Sequence, residues 1–292
     1  MGTITQISEK LRPVPQQLVS EDQARVSISD LAAIPAEPTA LLEFISKRGL
    51  LAISVPDDFG GADLSNELMA DLLMAIAERS ALAAVRAASH FVALELVRTS
   101  GSVEQRRAIY SRVLLGERLA HVGFDLPDIE SLADGLALGI SLPRSAVPSL
   151  EQDWTILPLL NPDGRRGIAI LSAESLRPFP ETASTLRLAG DHFLLLGESA
   201  ERLATALGVV LDAAMTRAFL CSAKAGEDGF QLPGRTDADD VWNELLGAMI
   251  TRLAGIIDGL QVGATTVNMS KLETAEAALR ALNLRAREGR AF

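Results

Sequence analysis

Gly49-Leu50-Leu51-Ala52-Ile53-Ser54-Val55-Pro56-Asp57-Asp58-Phe59-Gly60-Gly61 opens the stretch whose reading decides the fold, and that stretch runs on to Gly116. Leu50 to Val55 is a short apolar run, expected to be extended and stopped by Pro56. The Gly60-Gly61 pair supplies a tight turn that bulky residues would resist. Two long apolar-periodic segments follow, at 66–79 and 82–99. Behind a Ser65 cap, Leu68, Leu72, Leu73, Ile76 and Ala77 recur at helical spacing. The second segment repeats the pattern with Leu82, Val85, Ala88, Phe91, Val92 and Leu96, and its alanines permit close helix packing. After Ser100-Gly101, Ser102 and Gln105 form a capping-box pattern that opens a third helix over 103–114, closed by Leu115-Gly116-Glu117.

Composition sets the outer limits. A chain of 292 residues has ample length for a core, in one large domain or a few small ones. Its apolar share of 48% is mostly Leu and Ala, with only two Trp, one Tyr and nine Phe, which favours helices over a β-sandwich. A net charge of −11 argues against a nucleic-acid partner, which would need clustered Lys and Arg. The single cysteine, Cys221, excludes an internal disulfide and reads as a core residue. His90, His121 and His192 lack metal-ligand spacing, so no metal site is expected. No signal pattern and no uncharged apolar run of membrane length is present, so the expectation is a cytoplasmic protein without a membrane span.

Residues 1–28, with Pro13 and Pro15, read as a loose arm holding one short helix near 18–25. Thr39 is the expected cap of a helix over 39–48. After Glu117 the periodicity changes. Ala120 to Phe124, Gly135 to Leu142, Trp154 to Leu160, Gly167 to Leu171, Thr185 to Leu188 and His192 to Leu196 are short runs bounded by Pro, Asp or Gly, and they predict strands. Asn161-Pro162-Asp163-Gly164 is a hairpin-type turn. From Glu198 the pattern is helical again, over about 198–225, 238–260 and 262–286, with a Gly/Pro/Asp-rich loop at 226–237. The expected organisation is therefore mostly α with a small central β-domain. It divides into an N-terminal helical domain (1–118), a small β-domain (119–197) and a C-terminal helical bundle (198–292).

The layout GLL-x-IS-VP-x-x-FGG, two helices with a central His90, GS-x-EQRR, a further helix and LLGE resembles the N-terminal helical domain of the acyl-CoA dehydrogenases. The order helices, β-domain, helices is similar to that superfamily in outline along the whole chain. The resemblance implies an FAD cofactor between the β-domain and the C-terminal helices, and an acyl-CoA or related substrate. It also implies a carboxylate that removes the substrate α-proton while flavin takes the hydride.

Against that pattern the implied site residues are altered. The family's first flavin strand, roughly T-E-P-x-x-G-S-D, falls on Asp125 to Leu132, where Pro127 and Ser131 match. Asp125 replaces a hydroxyl with a group that only accepts hydrogen bonds, and Glu130 replaces a glycine. The second flavin segment falls on Ser145 to Pro148, with Val147 near the hydroxyl position. An ordinary strand pair with polar loops is the competing reading of 125–148. The arginine and glycine of the first C-terminal helix match Arg217 and Gly226, but Thr216 stands at the expected base position, and an unactivated hydroxyl cannot serve. The other family location for the base lies in a loop expected beyond Phe292, and Asp228 stands for the arginine of an Arg-x-Phe-Gly motif. His90 is either a flavin-facing residue, as the resemblance to monooxygenases of the superfamily implies, or a structural histidine at a helix contact. Arg144, Arg165 and Arg166 are candidates for a CoA phosphate or plain surface residues.

Three readings follow. One is an accessory, non-catalytic subunit that has lost FAD and forms a homo-oligomer, or a hetero-oligomer with an intact acyl-CoA dehydrogenase paralogue. Another is a divergent FAD-dependent acyl-CoA dehydrogenase or flavin monooxygenase. A CoA-thioester binder without redox chemistry is a third. Leu203, Leu207, Val210, Leu211 and Ala214 form one apolar stripe, and Leu245, Met249, Leu253, Ile256, Ile257 and Leu260 another. Both are expected to leave apolar area for association.

Overall fold

The computed structural model describes residues 15–18, 20–122, 129–134, 137–141, 153–160, 164–173, 185–188, 193–221 and 237–288. Five helices come first: α1 (Glu21–Ser29), α2 (Pro38–Lys47), α3 (Asn66–Ala77), α4 (Ala81–Ser100) and α5 (Val103–Leu114). Seven strands follow: β1 (Leu119–His121), β2 (Ile129–Asp134), β3 (Ala137–Ser141), β4 (Trp154–Leu160), β5 (Arg166–Ser172), β6 (Thr185–Leu188) and β7 (Phe193–Leu195). Helices α6 (Glu198–Cys221), α7 (Asp237–Gln261) and α8 (Met269–Glu288) complete the described chain.

The N-terminal helices start where their side chains satisfy otherwise orphaned N–H groups. Ser65 accepts from the Leu68 N–H, Ser80 from Ala83, and Ser102 with Gln105 completes the capping box of α5. Helix α2 departs from expectation. Its cap is Glu37, whose carboxylate accepts from the Thr39 and Ala40 N–H groups, with Pro38 at the first helical position. Proline there loses no hydrogen bond, so the helix starts at Pro38, two residues earlier than a Thr39 cap would allow. The loose arm is also corrected in part. Helix α1 packs on α3, burying Ala24 and Ser27.

Leu50 to Val55 is not extended. Gly49, at φ +72°, ends α2 in the left-handed region, and Leu50–Ala52 form a 3-10 turn. Leu50, Leu51, Ile53 and Val55 are all buried, which a winding segment achieves and a one-faced strand does not. The chain then doubles back: the Asp63 and Leu64 N–H groups donate to the Val55 and Ile53 carbonyls at 3.0 and 2.9 Å. Gly61 sits inside that reversal, and a Cβ on it would run into the Val55 carbonyl.

Helix α4 is the spine of the molecule. It packs on α2, α3, α5, α6 and β1. Its buried face is Ala83, Ala84, Ala87, Phe91, Leu94 and Leu96, so the expected face is rotated at its N-terminal end, where Leu82 and Val85 are exposed. Small side chains at 83, 84 and 87 let α4 approach its neighbours closely, and periodicity scored on large residues misses that face. Helix α6 packs on α3 and α4 as well as on α7 and α8, so the helices on both sides of the sheet share one core. Helix α6 is long and apolar enough to cross a membrane by length and composition, yet 67% of its most apolar window is buried inside the protein.

The sheet runs β6-β3-β2-β4-β5-β7, with β1 also on β4. Strands β1 and β2 lie along one edge of β4, both parallel to it, opposite Trp154–Ile156 and Leu159–Leu160 respectively. The β2–β3 and β4–β5 pairs are antiparallel; of the turn expected at Asn161-Pro162-Asp163-Gly164, only Gly164, at φ +79°, is among the described residues. Helix α8 starts at Met269 rather than near 262. Gly263, at φ +70°, interrupts the chain, and Asn268 accepts from the Lys271 N–H to start the helix. The α6 stripe of Leu203, Leu207, Val210, Leu211 and Ala214 is buried within this chain, as are Leu253, Ile256 and Ile257 of α7. Of the second stripe Leu245 is exposed as expected, and the other exposed large apolar side chains described in the bundle are Phe219, Val241, Val262 and Leu284.

Candidate functional site

His90 lies where α4 meets the first strand. The Leu119 N–H donates to its Nδ1 at 3.0 Å, which places the ring proton on Nε2, and that nitrogen lies 2.9 Å from the Leu51 carbonyl oxygen. Burial pushes the His90 pKa down to about 4, so the ring is neutral near pH 7. Next to it, Ser89 Oγ accepts from the His121 N–H and donates to the His121 carbonyl. The two residues thus peg β1 to α4. Trp154 Nε1 donates to Glu117 and the Arg118 N–H donates to Asp153, pegging β4 to the same corner. Both His90 ring nitrogens are engaged by backbone groups of this chain.

Thr216 lies on the face of α6 that α8 covers. It is 4% exposed. Its hydroxyl donates to the Asp212 carbonyl one turn back and accepts from Arg287 Nε at 3.0 Å. One turn away on the same face is a carboxylate, Asp212. Its two oxygens accept from Arg287 Nη2 at 2.6 Å and from Asn283 Nδ2 at 2.8 Å. A base for α-proton removal needs a carboxylate with a lone pair turned toward substrate. Position 216 has no carboxylate, and the nearby one is held by a guanidinium.

Arg217 points the other way round α6. Its Nε donates to Asn243 Oδ1 at 3.0 Å, and its guanidinium packs so close to Gly247 that a Cβ there would lie 3.2 Å from Cζ. It serves the α6–α7 contact. Ser131 is in β2, paired with Ile140 of β3, so Ser131 and Glu130 are strand residues. Pro127, Asp125 and Val147 lie outside the described residues, as do Arg144, Gly226 and Asp228. Ser131 and Arg217 thus lie on β2 and α6, and among the described residues His90 and Thr216 share no hydrogen-bond partner. Cys221 is half-buried rather than core.

Sequence reading missed the most polar buried cluster. Glu95 of α4 is 3% exposed, and its Oε2 accepts from Gln261 Nε2 at 2.7 Å. Asn66 Nδ2 donates to Gln261 Oε1 at 3.3 Å and to Asp258 Oδ1 at 2.5 Å, and the Asn66 backbone N–H also donates to Asp258. Burial pushes the Glu95 pKa up to about 7 and raises that of Asp258. The signal was in the sequence: a lone carboxylate inside Ala93-Leu94-Glu95-Leu96-Val97, and another inside Ile256-Ile257-Asp258-Gly259-Leu260.

Comparison with known proteins agrees with this architecture. The family model described as acyl-CoA dehydrogenase, N-terminal domain, matches residues 9–117. No curated protein matches the sequence. Among solved structures, methanesulfinate monooxygenase MsuC from Pseudomonas fluorescens is similar at 13% identity and a TM-score of 0.68, over 92% of this chain and 83% of that one. XiaF from a Streptomyces species, in complex with FADH2 and glycerol, is similar at 12% identity and a TM-score of 0.64, over 92% and 83%. The ChsE4–ChsE5 complex from Mycobacterium tuberculosis is similar at 13% identity and a TM-score of 0.60, over 94% and 86%. Residues 9–117 match the model of the acyl-CoA dehydrogenase N-terminal domain, and the described chain has an acyl-CoA dehydrogenase-like fold.

Proposed function

We propose that this protein is an accessory subunit that performs no acyl-CoA dehydrogenation and assembles through its C-terminal helices with itself or with an intact relative. The observation that carries this reading is the state of Thr216. At the position where the superfamily resemblance calls for a base stands a hydroxyl, buried under α8 and held by Arg287. Assembly is supported by Phe219, 51% exposed near the end of α6, by Val241 and Leu245 in the early turns of α7 and by Leu284 on α8. A similar structure, ChsE4–ChsE5, is itself a complex. Light scattering of the purified protein, alone and mixed with the product of any neighbouring acyl-CoA dehydrogenase gene, tests the reading. A dimer or larger species in either sample is expected, and a monodisperse monomer in both removes the subunit role.

A second reading, a flavin-dependent monooxygenase, is favoured by the same Thr216. Oxygenation by reduced flavin takes no α-proton from the substrate, so a missing carboxylate does not count against it. Two of the similar structures bear on it, one of a protein named as a monooxygenase and one containing FADH2. Turnover of a sulfinate or aromatic substrate with reduced flavin and oxygen separates this reading from the first.

A further inference from the structure

Glu95 sits at the seam between the N-terminal helices and the end of α7. Four side chains form one line there: Glu95 Oε2 accepts from Gln261, Gln261 Oε1 accepts from Asn66, and Asn66 donates to Asp258. Asn66 is the first residue of α3, so Asp258 also binds the N-terminal backbone of that helix. The line therefore ties three helices together, α3, α4 and α7. Its two ends are both carboxyl groups, bridged by two neutral amides. Glu95 Oε1 is buried and has no hydrogen-bond partner.

The charges acting on Glu95 are few. Arg98, one turn along α4, is the favourable one, but its Nη1 already donates to Asp63 at 2.7 Å and to the Ser54 carbonyl at 3.2 Å. Asp258 of α7 and Asp63 of the loop before α3 are both unfavourable. The Tyr110 hydroxyl of α5 is buried with no hydrogen-bond partner and stays protonated, since burial raises its pKa. An ionised Glu95 would leave one oxygen bare in the interior and add a negative charge to a line that already ends in one. A neutral Glu95 removes the added charge and leaves that oxygen as an uncharged group, which costs far less to bury unpaired.

We propose that the Glu95–Gln261–Asn66–Asp258 line is a proton-operated latch: it clamps the end of α7 to α3 and α4 while Glu95 is protonated, and releases it when Glu95 ionises. Burial sets the working range. The Glu95 pKa is raised from 4.5 to about 7, so closure is fully favoured below about 4.5 and weakens as pH rises through about 7. This device is independent of whether the chain binds flavin or a partner.

Amide hydrogen exchange on the full chain tests it, with rates corrected for the intrinsic pH effect. In the wild type, protection of peptides covering 64–70 and 255–262 is expected to fall about tenfold between pH 6 and pH 8, as one proton of latch closure is lost. In Glu95→Gln, which keeps an amide oxygen to accept from Gln261, protection is expected to be independent of pH. No change in the wild type, or the same slope in the variant, overturns the proposal. Should Glu95→Gln fail to fold, carboxyl carbon NMR of the wild type decides. A Glu95 midpoint near 7, lowered by Asp258→Asn, supports the latch, and a midpoint in the ordinary glutamate range overturns it.

Discussion

Arg287, in the last turn of α8, donates its Nε–H to the hydroxyl of Thr216 on α6 at 3.0 Å, and the same guanidinium holds Asp212 at 2.6 Å. One side chain thus seals the position expected for a base and neutralises the only carboxylate beside it among the described residues. Both charged partners are about half exposed, so the ion pair itself is worth little. The hydrogen bond to buried Thr216 adds roughly 1 kcal/mol. Arg287→Ala is expected to lower the melting temperature by a few degrees and to create no acyl-CoA dehydrogenation. Differential scanning calorimetry and a dye-reduction assay check the two halves.

His90 bridges two backbone groups that have no other partner of that kind, so its loss leaves the Leu119 N–H and the Leu51 carbonyl buried and unmatched. His90→Ala is expected to cost on the order of 3 kcal/mol from those groups together with the cavity. The pH dependence has a definite sign. Burial lowers the His90 pKa from 6.5 to about 4, so its contribution is present above pH 6.5 and is lost as pH falls toward 4. Urea unfolding of the wild type and His90→Ala across pH 4 to 7 is expected to show a shallower acid loss in the variant. Any enzymatic activity found should fall only as far as the folded fraction does. A selective loss of turnover at unchanged stability would assign His90 to chemistry.

Gly61 gives a test of the turn that organises the N-terminal domain. A methyl group there meets the Val55 carbonyl, which is itself hydrogen-bonded to Asp63 and has little room to move. Gly61→Ala is expected to destabilise the protein by about 1–3 kcal/mol, measured by chemical denaturation. The same change at Gly164, where a Cβ meets no atom, carries only the strain of its φ of +79° and should cost less.

The N-terminal domain was legible because its signals are local. Ser65, Ser102 with Gln105, and the recurrence of Leu68, Leu72 and Ile76 each fix a helix without reference to the rest of the chain. Leu50 to Val55 misled because burial on all sides looks the same in sequence for a strand and for a winding segment. Helix α4 misled in the opposite way: its contact face is built from alanines, so the large residues Leu82 and Val85 marked the exposed side. The polar sites depend on long-range pairing. Thr216 meets Arg287 71 residues away, and Glu95 meets Gln261 166 residues away. Nothing local in the sequence announces either partner, although a single carboxylate in an apolar helical run was a warning that could have been read.

Flavin titration of the purified chain is the most direct test of a non-dehydrogenating role. Oxidised FAD and FMN, and reduced FAD, are added under anaerobic conditions where needed, and binding is followed by visible absorbance and by calorimetry. The expected result is a colourless protein as purified and no stoichiometric uptake of FAD. One tightly bound FAD per chain that an acyl-CoA then bleaches would contradict the account and make this chain a working dehydrogenase with a base other than residue 216, whereas a yellow preparation that no acyl-CoA bleaches would favour the monooxygenase reading over the accessory subunit.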